Sequence, residues 1–420
     1  MVYINFKNTY FFWVFILVFG FISCTEKSSG KTNKENHQIS QNIAPDSLSS
    51  ELIYDNLTIS NPVNYLHLIK QKVIGVVGNQ TSVVKNKNNS FTHLVDTLIS
   101  LKINIKKVFS PEHGFRGKAD AGEKISDAKD TKTGLPLISL YGKNRKPSQE
   151  QLKDLDVVIF DIQDVGIRFY TYISTLHYVM EACAEANIPL IVIDRPNPNA
   201  HYTDGPLLEI EHKSFVGMHP VPVTYGMTIG EYAKMINGEK WLKDGLQCEL
   251  TIMPIKNYTH QSIYSLPIKP SPNLPNDISI NLYPSLCFFE GTSISAGRGT
   301  AMQFQIFGAP YLPKEEFTFS FTPEANEGAK HPKFKGELCY GKDLRKTDRL
   351  DIIDLSWVIE CYKASNNKSQ FFNPFLTKLA GTKNLQRQIE SGLTSKEIRI
   401  TWQKGLEAFK KTRSKYLIYD

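Results

Sequence analysis

The sequence predicts an α/β protein whose first half is a mostly parallel sheet covered on both faces, followed by a smaller α+β domain. Three observations carry this. Short apolar runs recur through residues 70–195, segments with helical spacing separate them, and beyond residue 285 the alternation is lost. Taken in order, residues 72–78 are an apolar run bounded by glycine, the first strand. Residues 93–99 carry helical spacing, and residues 105–109 read as a second strand. Residues 136–140 are the third strand, 148–155 a helix and 156–160 the fourth strand. A longer helix over 171–186 precedes a fifth strand at 189–193. Prolines at 254, 267, 270, 272, 275 and 284 then punctuate the chain, a spacing that predicts no long helix and therefore a connector between domains. Residues 317–340 predict antiparallel strands, 355–364 and 396–411 helices, and 416–419 an apolar close. The expected domains are 61–265 and 266–420.

Residues 1–60 have a different character. Lys7 is followed by an apolar run over 10–22, the length of a signal-peptide core and short of the roughly 20 residues that span a bilayer. The run ends Gly20-Phe21-Ile22-Ser23-Cys24, which resembles a bacterial lipobox, so residues 1–24 are expected to be a lipoprotein-type signal peptide with Cys24 the lipidated residue. Residues 25–60, rich in Lys, Asn, Ser, Gln and Glu, have the composition of a solvated tether. An exported protein, periplasmic or anchored to a membrane through its N-terminal lipid, is the expectation. The other five cysteines are scattered with no C-x-x-C pair, which suits buried small hydrophobes rather than a disulfide framework or a zinc knuckle.

Charge narrows the function. Lys and Arg total 49 against 42 acidic residues, a balance of +7, and 22% of residues are charged, too mild a bias for a nucleic-acid footprint. In open α/β sheets ligands sit beyond the carboxyl ends of the strands, so the residues following each strand are the ones to read. These are Asn79 and its neighbours, Ser110-Pro111-Glu112-His113-Gly114-Phe115-Arg116, then Asp161-Ile162-Gln163-Asp164 running on to Arg168 and Tyr170, and Asp194-Arg195-Pro196-Asn197. Each alone reads plainly as a cap or turn; together they suggest one polar rim. Glu112, on a constrained loop at the mouth of the sheet, suits a general acid whose pKa partial burial would raise. His113 is placed to orient it or to bind substrate, and Glu123 lies on a glycine-containing loop long enough to fold over the same rim.

Other patterns are missing. The chain has no G-x-S-x-G, no H-E-x-x-H, no P-loop and no dinucleotide fingerprint. Residues 289–300, dense in Gly, Ser and Thr around Glu290 and Arg298, form a loop suited to an anionic or polyhydroxylated ligand.

Together Ser110-Pro111-Glu112-His113-Gly114-Phe115-Arg116-Gly117, Ala121-Gly122-Glu123-Lys124, the segment from Phe160 through Asp161, Gln163, Asp164, Arg168, Tyr170 and Tyr172, Asp194-Arg195-Pro196-Asn197-Pro198, and Glu290-Gly291-Thr292 with Gly297-Arg298-Gly299-Thr300 are similar to motifs of the NamZ-type exo-β-N-acetylmuramidases. The resemblance runs from about residue 73 to 310. It implies a Rossmann-like N-terminal domain without nucleotide or other cofactor, a smaller α+β domain, and an active site in the cleft between them. The implied reaction releases terminal N-acetylmuramic acid from the non-reducing end of peptidoglycan fragments, in cell-wall turnover. By position, the family's catalytic glutamate falls on Glu112, as general acid/base. His113, Glu123, Asp161 and Asp164 lie in matching motifs as candidates for its catalytic partner, no metal being implied. Asn79, Arg116, Gln163, Arg168, Tyr170, Tyr172, Asp194, Arg195, Asn197, Glu290, Arg298 and Thr300 are the substrate-binding candidates. Muramic acid carries a lactyl carboxylate, for which Arg298, then Arg195, then Arg168 are the preferred partners. Carboxyl spacing would decide retention against inversion, and a 2-acetamido sugar also permits its own carbonyl to act as nucleophile. Two other readings stay open at this point, a non-catalytic muropeptide-binding lipoprotein and a metal-dependent hydrolase using Glu112, His113, Asp161 and Asp194.

Overall fold

The computed structural model describes residue 59 and residues 61–112, 114–116 and 128–420, all within one compact unit. Cys24, His113 and Glu123 lie outside the described residues.

The apolar runs form the expected sheet. Its strands are β1 (Val73–Gly78), β4 (Asn104–Ser110), β5 (Ala128–Lys129), β6 (Pro136–Ser139), β7 (Val157–Asp161), β8 (Leu190–Ile193) and β9 (Leu250–Met253), while β2 (Val83–Lys85) and β3 (Phe91–His93) make a separate hairpin. The seven-stranded order is β5-β6-β4-β1-β7-β8-β9, parallel except where β5 meets β6. Without β5 this is the doubly wound order 3-2-1-4-5-6, with the switch between β1 and β7.

Alternation along the strands feeds two cores. Ile74, Val76, Val157, Ile159, Ile191 and Ile193 pack on one face with α1 (Leu66–Ile69) and α2 (Leu94–Ser100). Val77, Val158, Phe160, Leu190 and Val192 face the other way, onto a larger core. Above them lie α3 (Gln149–Leu152), α4 (Tyr172–Ala186) and α5 (Ile229–Gly238). Gly75 permits close approach, since a Cβ there would stand 2.7 Å from Leu155 Cδ1. The helix expected over 148–155 is shorter, a single turn after the Ser148 capping box.

In the second half the chain departs from the expected connector. Within the proline-rich connector the chain forms α6 (Asp277–Leu286), with Pro284 inside it. Between Pro275 and Pro284 the chain is free of proline, Asn276 caps the helix by accepting from Ser279 N, and the carbonyl of Ile280, four residues before Pro284, receives Asn199 Nδ2 at 3.2 Å. Beyond it β10 (Ile306–Ala309), β11 (Phe319–Phe321) and β12 (Cys339–Asp343) form an antiparallel sheet in the order β10-β12-β11. The helices α7 (Ser356–Ala364), α8 (Phe375–Ala380), α9 (Asn384–Glu390) and α10 (Ser395–Arg413) complete it. One core cluster runs from Val77 through Phe289 and Phe307 to Phe409, so the parallel sheet and the C-terminal elements share an interior. Cys183, Cys248, Cys287, Cys339 and Cys361 are buried free thiols, as their scattered positions suggest.

Candidate active site

Glu112 stands two residues beyond the end of β4, half-buried, where Gly114 N donates to Pro111 O and turns the chain. Its Oε2 accepts from Thr171 Oγ1 at 2.8 Å, Thr171 being the residue that caps α4. Tyr141, just past β6, supplies a second donor. Its own burial, then the Glu112 charge and the hydrogen bond between them, push its phenol up to about 12, so the Tyr141 proton stays on through neutral pH. Tyr172, the first residue of α4, is anchored behind Glu112 by accepting from Asn79 Nδ2 at 2.8 Å.

Glu112, Thr171 and Tyr172 border an open cleft. Both halves of the chain line it. Glu112, Tyr170, Thr171 and Tyr172 come from the sheet side, and Asn273, Glu290 and Arg298 from the second half. Its apolar wall is a run of edge-to-face rings, Phe169 against Tyr283 at 5.4 Å and Tyr283 against Phe304 at 4.9 Å. Phe304 holds φ 52, a conformation a bulky side chain rarely adopts, secured by its N–H donating to Ala296 O.

Polar groups in the cleft are arranged with capacity to spare. Arg298 donates one nitrogen to Gly328 O at 3.2 Å and keeps another 3.7 Å from Glu290 Oε2, a loose ion pair. Asn273 donates Nδ2 to the same Gly328 carbonyl at 2.7 Å, and among the described residues its buried Oδ1 accepts no hydrogen bond. An acceptor left unmade at such a site costs about 1–3 kcal/mol, which a donor on a ligand would recover. Lys333, its ammonium lowered by burial against the opposing pull of the Glu290 charge, spans the carbonyls of Phe289, Thr292 and Ile294 and so fixes the turn that presents Glu290.

Of the residues singled out by the sequence, the fold brings Glu112, Tyr170, Tyr172, Glu290 and Arg298 to one cleft. Several others are corrected. Asp161 and Arg195 form a buried two-point ion pair, Nε to Oδ1 at 2.6 Å and a second nitrogen to Oδ2 at 2.9 Å. Asp194 accepts from Thr228 Oγ1, Gly230 N and Tyr419 Oη, and burial, against these donors, pushes its carboxyl up to about 6. Arg168 is fully buried and donates to the carbonyls of Pro206, Val221, Leu379 and Ala380, leaving no face for a substrate. Asp164, likewise raised by burial to about 6, accepts from Tyr225 and from Gly166 N. Gly166 needs its φ of 78, and a Cβ there would overlap the Asn197 side chain.

Gln163 donates to Asp164 O and Pro196 O, and Asn197 donates Nδ2 to Met227 O, so both are spent on the backbone. Thr300 closes its own turn onto Gly297 O. Arg116 lies in a partly exposed network with Asp96 and Asp130; burial alone would raise Asp130, but Arg116 and Thr133 outweigh it and hold that carboxyl at about 2. Among the described residues, Asn79 reaches the site through Tyr172.

The crevice at the switch between β1 and β7 is occupied by the chain itself. Ser82 Oγ donates to Asp161 O, and Gln163 N donates to Thr81 Oγ1 at 2.9 Å. Nor do Glu112, Asp161 and Asp194 converge as a metal set would require. Among the described residues, the group whose ligand atoms lie within 4.8 Å of one another is Glu209, Glu211 and His212.

Sequence reasoning missed Tyr141, Thr171 and Asn273. Tyr141 was within reach of the strand-end rule, since it follows the third strand, whose end carries few charges to draw notice. Asn273 had no local signal, standing among prolines.

Residues 74–278 match the family model described as exo-β-N-acetylmuramidase NamZ, N-terminal, and residues 281–419 match its C-terminal counterpart. The peptidoglycan β-N-acetylmuramidase NamZ of Bacillus subtilis (strain 168) is 39% identical over 382 residues, 85% of this chain and 89% of that protein. Two crystal structures of DUF1343 family proteins from Bacteroides fragilis NCTC 9343 superpose on it, each over 87% of this chain and 99% of its own. One has TM-score 0.79 and 42% identity, the other 0.73 and 27%.

Proposed function

The chain belongs to the exo-β-N-acetylmuramidase NamZ family, and on that premise we propose that Glu112 is the general acid/base of a glycosidase releasing terminal N-acetylmuramic acid from the non-reducing end of peptidoglycan fragments. The observation that carries the assignment is the placement of Glu112 at the border of a cleft, held by the Thr171 and Tyr141 hydroxyls. Those two donors hold the carboxyl in place at the cleft border. As acid, Glu112 gives its proton to the departing oxygen of the next sugar, and as base it takes one from the attacking water.

Among the described residues, Glu290 is the other carboxyl lining the cleft, which supports it over Asp161 or Asp164 as the second acidic group of the reaction. Arg298 is the arginine with donors to spare and takes the lactyl carboxylate, the feature that separates muramic acid from N-acetylglucosamine. The unmet Asn273 Oδ1 accepts from a donor on the same sugar. We also propose export and anchoring through Cys24, supported by the lipobox-like sequence.

The direct test is N-acetylmuramyl-N-acetylglucosamine incubated with wild type and Glu112→Gln, the released sugars followed by mass spectrometry. The variant is expected to keep its circular dichroism and lose about 10²–10⁴-fold in kcat; turnover within a few-fold of wild type would remove Glu112 as the acid. Lipidation is read from the mass of the mature N-terminal peptide, which in Cys24→Ser should lose the acyl increments. An unmodified Cys24 in the wild-type membrane fraction would refute the anchor.

A further inference from the structure

A glycosidase acid must stand within hydrogen-bond reach of the oxygen it protonates, roughly 2.6–3.2 Å, so the two sugars joined by that oxygen lie on either side of it. On one side of Glu112 is the cleft. Tyr141 is hydrogen-bonded to Glu112 and absent from the residues lining the cleft. Its ring stands 6.4 Å from that of Phe215, which stacks on Tyr178 at 6.3 Å and carries the Arg145 guanidinium 4.3 Å above its centroid. Phe215 and Val216 sit at the tip of a tight turn closed by reciprocal hydrogen bonds between Ser214 and Gly217, and Ser174 Oγ donates to Phe215 O. Val216 lines the cleft while its neighbour Phe215 belongs to the shelf beside it, so the two surfaces are continuous.

Arg145 is exposed, and among the described residues no carboxylate or carbonyl is bonded to it. A guanidinium held over a ring loses less freedom on binding than a solvated one.

We propose that Tyr141, Phe215 and Arg145 form the subsite for the leaving sugar, with Arg145 donating to the hydroxyl or acetamido oxygens of the N-acetylglucosamine released. The proposal rests on the muramidase reading above. Binding energy gained there is remote from the broken bond and is available to orient the glycosidic oxygen against Glu112.

The test compares two substrates that share the muramyl group. One is N-acetylmuramyl-N-acetylglucosamine; the other is 4-nitrophenyl β-N-acetylmuramide, whose leaving group has no hydroxyl or acetamide for Arg145 to bind. In Arg145→Ala, and in Arg145→Gln as a second variant, the ratio of kcat/KM for the disaccharide to that for the nitrophenyl muramide is expected to fall about tenfold from wild type. A ratio unchanged within about twofold, including an equal loss on both substrates, would overturn the subsite. Wild type that turns over neither substrate would overturn the muramidase reading itself, so the two failures are distinct.

Discussion

Arg195 follows Asp194 in the chain yet spends its guanidinium on Asp161, at the end of the neighbouring strand. The pair lies beneath the rim, where each group has lost its water, so each depends on the other. Asp194 meanwhile takes the Tyr419 hydroxyl, pinning the last residues of the chain to the end of β8, while Glu231 Oε1 accepts from Ile418 N and Tyr419 N. Acidic and basic residues at strand ends are thus of two kinds, those that hold strand ends together and those that face a ligand. Asp161→Asn should cost roughly 3–5 kcal/mol of stability by leaving Arg195 buried without its counter-charge. Urea unfolding measures it, and a change below about 1 kcal/mol would mean that the pair is not the clamp described here.

At the scale of elements, the long helix α4 and the strands β1, β4, β6, β7 and β8 were legible because apolar spacing is local and strong. The helix α6 was not, because proline density speaks for the residues around it. What rescues α6 is distant in sequence. Asn199 donates to Ile280 O and Val165 O, and its own Oδ1 accepts from Asn281 Nδ2 at 3.4 Å. The Asp194-to-Asn199 segment therefore works as a staple between the sheet and the helix whose continuation walls the cleft with Tyr283, Cys287 and Glu290. Asn199→Ala strands two buried carbonyls and should lower stability by about 1–3 kcal/mol. It should also raise KM more than it lowers thermal stability alone would explain, since the wall shifts with α6. Steady-state kinetics on the folded variant read this, and an unaltered KM would detach α6 from the site.

For the molecule as a whole, buried ionisable groups oppose one another. Asp164 and Asp194 have folded pKa values raised to about 6 by burial, so their contribution to stability is present below the unfolded carboxyl pKa and is lost as pH rises through about 6. His177, lowered by burial to about 4, works the other way: its contribution is present above the unfolded histidine pKa and is lost as pH falls through about 4. The difference in unfolding free energy between wild type and Asp164→Asn should therefore fall by about 1–3 kcal/mol from pH 4 to 6.5 and flatten above pH 7. A difference that is constant or rising over that window would contradict the burial of an ionising Asp164.

By itself the sequence determined the α/β sheet and the mild charge that leaves no nucleic-acid stripe, and it singled out Glu112, Glu290 and Arg298 as candidates, because these follow from periodicity, composition and motifs written in consecutive residues. Only the tertiary structure decided which strand-end charges face a ligand. Arg168, Arg195 and Arg298 look alike in a sequence, but burial and nearby acceptors consume the first two, and the third keeps donors beside a carboxyl in a cleft. Whether a charge is spent on its own fold depends on partners as far as 225 residues away, as for Asp194 and Tyr419, and no local pattern encodes that distance.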